Sequence, residues 1–271
     1  MVDITFFEKL GPKIYENGNA LAGWSPEQGR KYLQDPREAL ALFLKSYAYE
    51  RAGGDPRRAL MAERVVRESE KLDPETLWTE FQNAMGYRSL DAKRNPLAHN
   101  VPEPCVEKKR CVLCALRKDD GNYDNIVAKI NRHLEKDEVI TAHNFLKSIR
   151  GVGDKIAPFF LRDMAIAYGI FPKKFKVLLQ PVDIWVRRIA NFLITHQYDP
   201  KPITSDLAIA TWIVEHPGAN SPENANFGMW FFGAKIIGRR RANNIPKVLR
   251  DRATAEELLD QYVRTQTENK E

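Results

Sequence analysis

Apolar residues in this chain recur at helical spacing over almost its whole length, and no stretch alternates for long with the period of two that a strand requires. That pattern points to an all-α fold. Residues 37–51 and 57–72 read as amphipathic helices parted by Gly53-Gly54-Asp55-Pro56. Asp73-Pro74-Glu75 reads as a cap followed by a first-turn proline, opening a helix near 75–85. Residues 91–121, rich in proline and charge and holding all three cysteines, read as a loop. Helices resume over 122–135 and 138–149, break at Gly151 and Gly153, and continue to about 168. A basic segment, FPKKFKVLLQP at 171–181, leads into the helix DIWVRRIANFLITH, with further helices expected over 204–215, 222–237 and 253–266. No internal repeat or low-complexity block interrupts this order.

The charge balance bounds the partners. Lysine and arginine number 42 against 36 acidic residues, a net +6 over 271 residues, which permits a polyanionic partner without requiring one. MVDITFFEKLGPKIYENGN has no basic segment ahead of a sustained apolar run, and no uncharged run approaches the ~20 residues of a membrane span. No membrane partner is therefore expected. Three cysteines in one short stretch argue against a disulfide framework and for a reducing setting, cytoplasmic and nucleoid-associated or nuclear rather than secreted.

The stretch SIRGVGDKIAPFF, residues 148–160, sets Arg150-Gly151-Val152-Gly153 between two helices as a short helix–hairpin–helix. Glycine tolerates positive φ and has no side chain to hold a ligand away. The hairpin can present backbone N–H groups to a phosphate where the second helix begins and its dipole favours an anion. Val152 would anchor the turn in the core. Lys155 falls in the first turn, where that dipole disfavours a cation. Beside a buried environment such a lysine has a lowered pKa and a usable neutral amine; otherwise it pairs with phosphate or with Asp154. Downstream, Pro181 holds Gln180 extended and places Asp183 where a helix N-cap falls. Taken singly, the hairpin reads as an ordinary helix connection and Asp183 as a plain cap.

Together, G-V-G-D-K-I-A and the later P-V-D-I-W-V-R-R-I-A resemble the helix-hairpin-helix (HhH-GPD) superfamily of DNA glycosylases, which includes endonuclease III-like enzymes and 8-oxoguanine DNA glycosylases. NANFGMWFFGAKIIG, residues 224–238, looks like the helix that closes the second domain in that group. The resemblance implies an all-α, two-lobed fold with a DNA-binding cleft between the lobes. One lobe would run over 37–168, and 1–36 with 169–271 would form the other. It implies a grip on DNA backbone by Gly151 and Gly153, Lys155 as the nucleophile and Asp183 as the essential carboxylate. The implied function is a glycosylase with abasic-site lyase activity in base excision repair, acting as a monomer on duplex DNA with a damaged or modified base. The P-V-D form of the motif leans to 8-oxoguanine. Oxidised, mismatched or hypermodified pyrimidines, and a non-catalytic DNA-binding protein, remain open alternatives.

Phosphate contacts are expected from backbone at Gly151, Val152 and Gly153, and from Lys147, Arg150, Lys173, Lys174 and Lys176, with Arg239-Arg240-Arg241 a further basic run. The interval from Lys155 to Asp183, which holds the three lysines of 173–176, is longer than the family commonly shows. Pro158 is expected to kink the helix after the hairpin. Phe159 stands where 8-oxoguanine enzymes often carry a polar or sulfur-bearing residue. Phe159, Trp185 and Trp230 are candidates for the base pocket, with core packing as the other reading of each.

The stretch HNVPEPCVEKKRCVLC places His99, Cys105, Cys111 and Cys114 at spacings that suit a structural zinc with three cysteines and one histidine, His133 or His143 being substitute ligands. The other reading is buried free thiols. Endonuclease III-like relatives often carry a four-cysteine iron–sulfur cluster. Here the fourth cysteine is missing and the position is mid-chain, so no such cluster is expected, and catalysis needs no cofactor.

Overall fold

The computed structural model describes residues 1–16, 24, 26–49, 55–86, 94–99, 109–196, 202–238 and 244–268, and among them the regular structure is helical, with isolated backbone pairings such as Arg110 with Ile149 but no strand. The chain divides into two units, residues 1–19 with 179–271, and residues 20–178. The sequence places these boundaries at 36/37 and 168/169. The middle unit extends past the first because Trp24 is buried edge-on against Tyr32 at 5.3 Å and Tyr168 at 5.5 Å, while the Tyr168 hydroxyl donates to Gly29 O at 2.7 Å. It extends past the second because the backbone of Lys173 and Lys174 is hydrogen-bonded to Asp137.

The first helix, α1 (Ile4–Glu16), belongs with the C-terminal segment. The middle unit then holds α2 (Pro26–Gln34), α3 (Pro36–Phe43, widening into a π turn over Leu44–Ala48), α4 (Arg57–Glu68), α5 (Pro74–Ala84), α6 (Val112–Leu116), α7 (Ile126–Glu135), α8 (Val139–Lys147) and α9 (Ile156–Tyr168). Their starts follow from local chemistry. Asp35 accepts from Arg37 N at 2.8 Å with Pro36 in the first turn, and Asp73 accepts from Thr76 N at 2.9 Å with Pro74 next to it. Asn125 caps α7 by accepting from Ala128 N at 3.0 Å, and its amide donates to Tyr32 O at 2.8 Å, tying α7 to the end of α2. The stretch 91–121, expected as loop, contains α6, whose first turn is capped when Cys111 Sγ accepts from Cys114 N at 3.0 Å.

Helix α9 is the spine of the middle unit. Phe160 is fully buried and meets Phe43 at 5.1 Å and Tyr47 at 4.8 Å, edge to face. Behind it runs a buried polar chain. Arg162, 1% exposed, donates through Nε (2.9 Å) and Nη2 (2.6 Å) to Oδ1 of Asp163, itself 2% exposed. The Tyr47 hydroxyl donates to Asp163 Oδ2 at 2.9 Å and accepts from Trp24 Nε1 at 2.6 Å. Burial pushes the Asp163 carboxyl up despite the Arg162 charge, and pushes the Tyr47 phenol well up. Pro158 does not kink α9: the helix starts at Ile156, so the ring lies in the first turn, where a missing N–H is tolerated.

The other unit adds α10 (Ile184–Thr195), α11 (Asp206–Glu215), α12 (Pro222–Phe231, widening over Phe232–Ile237), α13 (Ile245–Arg250) and α14 (Arg252–Glu268) to α1. Helix α12 is buried on nearly every side and sits at the centre of this unit. Its glycines mark close crossings. A Cβ on Gly228 would fall 2.0 Å from Phe7 O on α1, and one on Gly233 would fall 2.8 Å from Trp185 Cβ on α10. Phe6, Phe7 and Phe232 close the crossing with ring centroids 5.2 to 5.8 Å apart. Burying each such ring is worth about 1.5–3 kcal/mol. Among the described residues no helix is long and apolar enough to cross a membrane.

Candidate functional site

The hairpin between α8 and α9 is anchored by two fully buried residues, Ile149 and Val152. Its two glycines serve different ends. Gly151 sits at φ 80°, a conformation side chains resist. Gly153 has no such φ, and a Cβ there would meet nothing within 4 Å. Nothing inside the described chain therefore requires a glycine at 153. Two residues on, Lys155 is the N-cap of α9 and makes no side-chain capping bond. It is exposed, so its own unit does not supply the buried environment expected beside it. Its Nζ stands 5.9 Å from the ring centroid of Phe159, and the Arg162 guanidinium stands 4.8 Å from the same centroid. Phe159 is half-buried.

The cations expected at phosphate divide into two groups. Arg150 is 8% exposed: its Nη1 donates to Ala98 O at 2.5 Å and its Nη2 to Lys109 O at 3.1 Å, so the guanidinium ties together two segments ahead of α6 instead of reaching outward. Lys147 pairs with exposed Asp154 at 2.5 Å, a hydrogen bond that holds the Asp154 carboxyl below the usual range. Lys173 and Lys174 are exposed and Lys176 is half-exposed. Local hydrogen bonds shape their loop: Asp137 Oδ1 accepts from Lys173 N at 2.8 Å and Lys174 N at 3.1 Å. Asp137 (φ 58°) and Phe175 (φ 54°) both adopt the left-handed region uncommon for non-glycine residues. The loop exposes Phe171 by 43% and Phe175 by 53% among its lysines. Rings interleaved with cations suit contact with bases and phosphates, and Phe171 and Phe175 are the part of this basic segment that sequence reading leaves unused. Arg239-Arg240-Arg241 lie outside the described residues.

In the other unit, Asp183 caps α10: its Oδ1 accepts from Trp185 N at 2.8 Å and from Val186 N at 2.9 Å. Among the described residues no hydrogen bond engages its Oδ2. The preceding turn is held from behind, where fully buried Asn226 on α12 donates to Pro181 O at 3.1 Å. Sequence reading missed Asn226, whose partner lies 45 positions away. Trp185 is 7% exposed and packed at the Gly233 crossing, so it is core in its own unit. Trp230 is half-buried, beside Phe227 at 5.8 Å and Lys235 Nζ at 6.0 Å.

The cysteines depart from the expectation that set disulfides aside, and from the other reading of free thiols. Cys111 and Cys114 are joined as a disulfide, because the cap turn of α6 brings both sulfurs to one side. His99 Nδ1 lies 3.7 Å from Cys114 Sγ. These three donor atoms are all within 4.8 Å of one another. His133 Nδ1 instead pairs with Glu138 at 2.8 Å, His143 stands outside the cluster, and Cys105 lies outside the described residues.

No family model matches the chain, and no solved structure matches it. It is similar to an uncharacterized protein of Methanocaldococcus jannaschii, 25% identical over 214 residues that cover 70% of this chain and 48% of that protein. The chain thus spans about half the length of the curated relative it matches. That relative's description names no activity, so the functional reading rests on this chain's own residues.

Proposed function

We propose that the chain is a DNA glycosylase with abasic-site lyase activity, acting on duplex DNA that carries a damaged or modified base. The observation that carries the reading is the corner from Gly153 to Lys155. Open space flanks a glycine that the fold itself does not require, and an exposed lysine follows at the N-cap of a 13-residue helix. A phosphate drawn to that backbone would offset the repulsion between the helix dipole and the lysine. DNA seated there would also supply the desolvation that the exposed amine lacks. Lys173 and Lys174 add phosphate contacts, and the Phe175 ring adds a stacking surface.

The chemistry follows from the two residues. A stacked base cannot be attacked at its sugar, so the nucleotide is flipped out first. The C1′–N bond breaks with its electron pair leaving on the base, and positive charge develops on the sugar. Asp183, held as a cap through Oδ1, keeps Oδ2 for that charge and for the proton released by the lysine. Lys155 Nζ forms a bond to C1′, and departure of the ring oxygen gives a Schiff base. Loss of a C2′ proton then expels the 3′ phosphate.

A cleavage screen over duplexes with modified bases, starting with 8-oxoguanine, tests it. Borohydride should trap a covalent complex with a cleaved substrate, and Lys155→Ala should abolish trapping. Asp183→Asn should suppress base release while duplex binding persists. A protein that binds duplex equally well with both residues replaced, and releases no base from any duplex, is the non-catalytic binding protein instead.

A further inference from the structure

We infer that His99, Cys111 and Cys114 form a zinc site in the dithiol form of the chain, and that this site braces the hairpin. The donor set is the starting point. Two thiolates and an imidazole are soft and borderline ligands that favour zinc. Around a tetrahedral zinc, sulfur and nitrogen donors lie roughly 3.5–3.8 Å apart. His99 Nδ1 and Cys114 Sγ are already 3.7 Å apart and the whole set falls within 4.8 Å, so once the bridge is reduced the two sulfurs need only part and rotate to surround an ion. Cys114 N–H donates to Cys111 Sγ at 3.0 Å, a bond that stabilises negative charge on that sulfur. Cys111 is buried, and His99 and Cys114 are half-buried.

A disulfide explains the sulfurs but not the imidazole held beside them. It also bridges residues only three apart, where closing a loop restrains little chain. Disulfide and metal are alternatives for the same pair. A small dithiol reductant converts the bridge to two thiols and leaves as its own cyclic disulfide. Zinc then displaces the two thiol protons and binds the two sulfurs with neutral His99.

The loops carrying these ligands are fastened to the hairpin. Val112 N donates to Pro96 O at 2.8 Å, joining the histidine and cysteine segments. Arg110 N donates to Ser148 O at 2.9 Å, and Arg150 N donates to Arg110 O at 2.8 Å. The Arg150 guanidinium spans Ala98 O and Lys109 O, and Lys109 Nζ donates to Val152 O at 3.2 Å. An ion at the cluster would join the two segments that Arg150 bridges, so its effect should reach residues 148–153.

Metal binding stands apart from the glycosylase reading, and the test needs no activity. The full chain, purified without a histidine tag and kept in a dithiol reductant, should hold one zinc per chain. Cobalt in its place should show thiolate-to-metal absorption. Cys114→Ser and His99→Gln should lose the metal while far-ultraviolet circular dichroism stays helical. Hydrogen exchange over 148–153 should be slower with zinc than without it. No retained metal in the reduced chain, or retention unchanged by both substitutions, overturns the site. Equal retention with the disulfide intact overturns it as well. Zinc binding with no change in exchange at 148–153 overturns the brace.

Discussion

Replacing each hairpin glycine by alanine separates what the fold needs from what a ligand needs. At Gly151, φ 80° forces an alanine into the left-handed region, at a cost of about 1–2 kcal/mol. For a chain of this size that lowers the melting temperature by roughly 2–8 °C. At Gly153 the added methyl meets nothing within 4 Å and no unusual φ opposes it. Alanine there should stabilise by about 0.4–1 kcal/mol, through the lost freedom of the unfolded chain. Binding should move the other way. On the proposed function the methyl would stand where a phosphate oxygen approaches the backbone, and a lost hydrogen bond to a charged group costs about 1.5–3 kcal/mol, roughly a 10- to 150-fold weaker complex. Thermal melts and fluorescence anisotropy with a labelled duplex, at one fixed salt concentration, read both effects. A Gly153→Ala protein that melts no lower and binds DNA as tightly as the parent refutes the reasoning.

Asp163→Asn should destabilise the middle unit by about 3–5 kcal/mol in urea unfolding, because the buried Arg162 guanidinium loses its carboxylate. At Asp124, burial raises the carboxyl, but hydrogen bonds and charge from Arg132 and Lys129 outweigh it and hold the group below its ordinary value of 3.8. A carboxylate lowered on folding contributes stability above that value and loses it as pH falls through the folded one. Asp124→Asn should therefore flatten the acid limb of a stability-against-pH profile measured by urea unfolding. Replacing Lys173 and Lys174 by alanine should reduce the slope of log affinity against log salt by about 0.9 for each phosphate that a lysine no longer neutralises; an unchanged slope removes both from the interface.

What could be read from the sequence was local. Asp73-Pro74 and the glycine break carry their own signals within four residues, and helices begin or end where those signals stand. Other features depend on partners far along the chain. Arg150 reads as a phosphate ligand until Ala98 O and Lys109 O, 52 and 41 residues away, are seen to hold it. Trp185 reads as a base-stacking ring until Gly233 is found against it. Pro158 reads as a kink if α9 begins a turn earlier than it does, and only the capping position of Lys155 sets the count right. Helices α6 and α13, of five and six residues, are too short for a period to register.

The crossing of α1 and α12 at Gly228 also bears on how the chain acquires its structure. Helix α1 is synthesised before the whole middle unit, and α12 only after it. At ordinary synthesis rates the interval is roughly 10–40 s. Through that interval Phe6 and Phe7 have no C-terminal aromatic to cover them, while residues 20–178 can already close on Trp24 and Phe160. The middle unit should therefore form during translation and the discontinuous unit only as the last helices emerge. This order leaves the nascent α1 exposed to chaperones and to mispairing, and gives the crossing at Gly228 the role of a late lock.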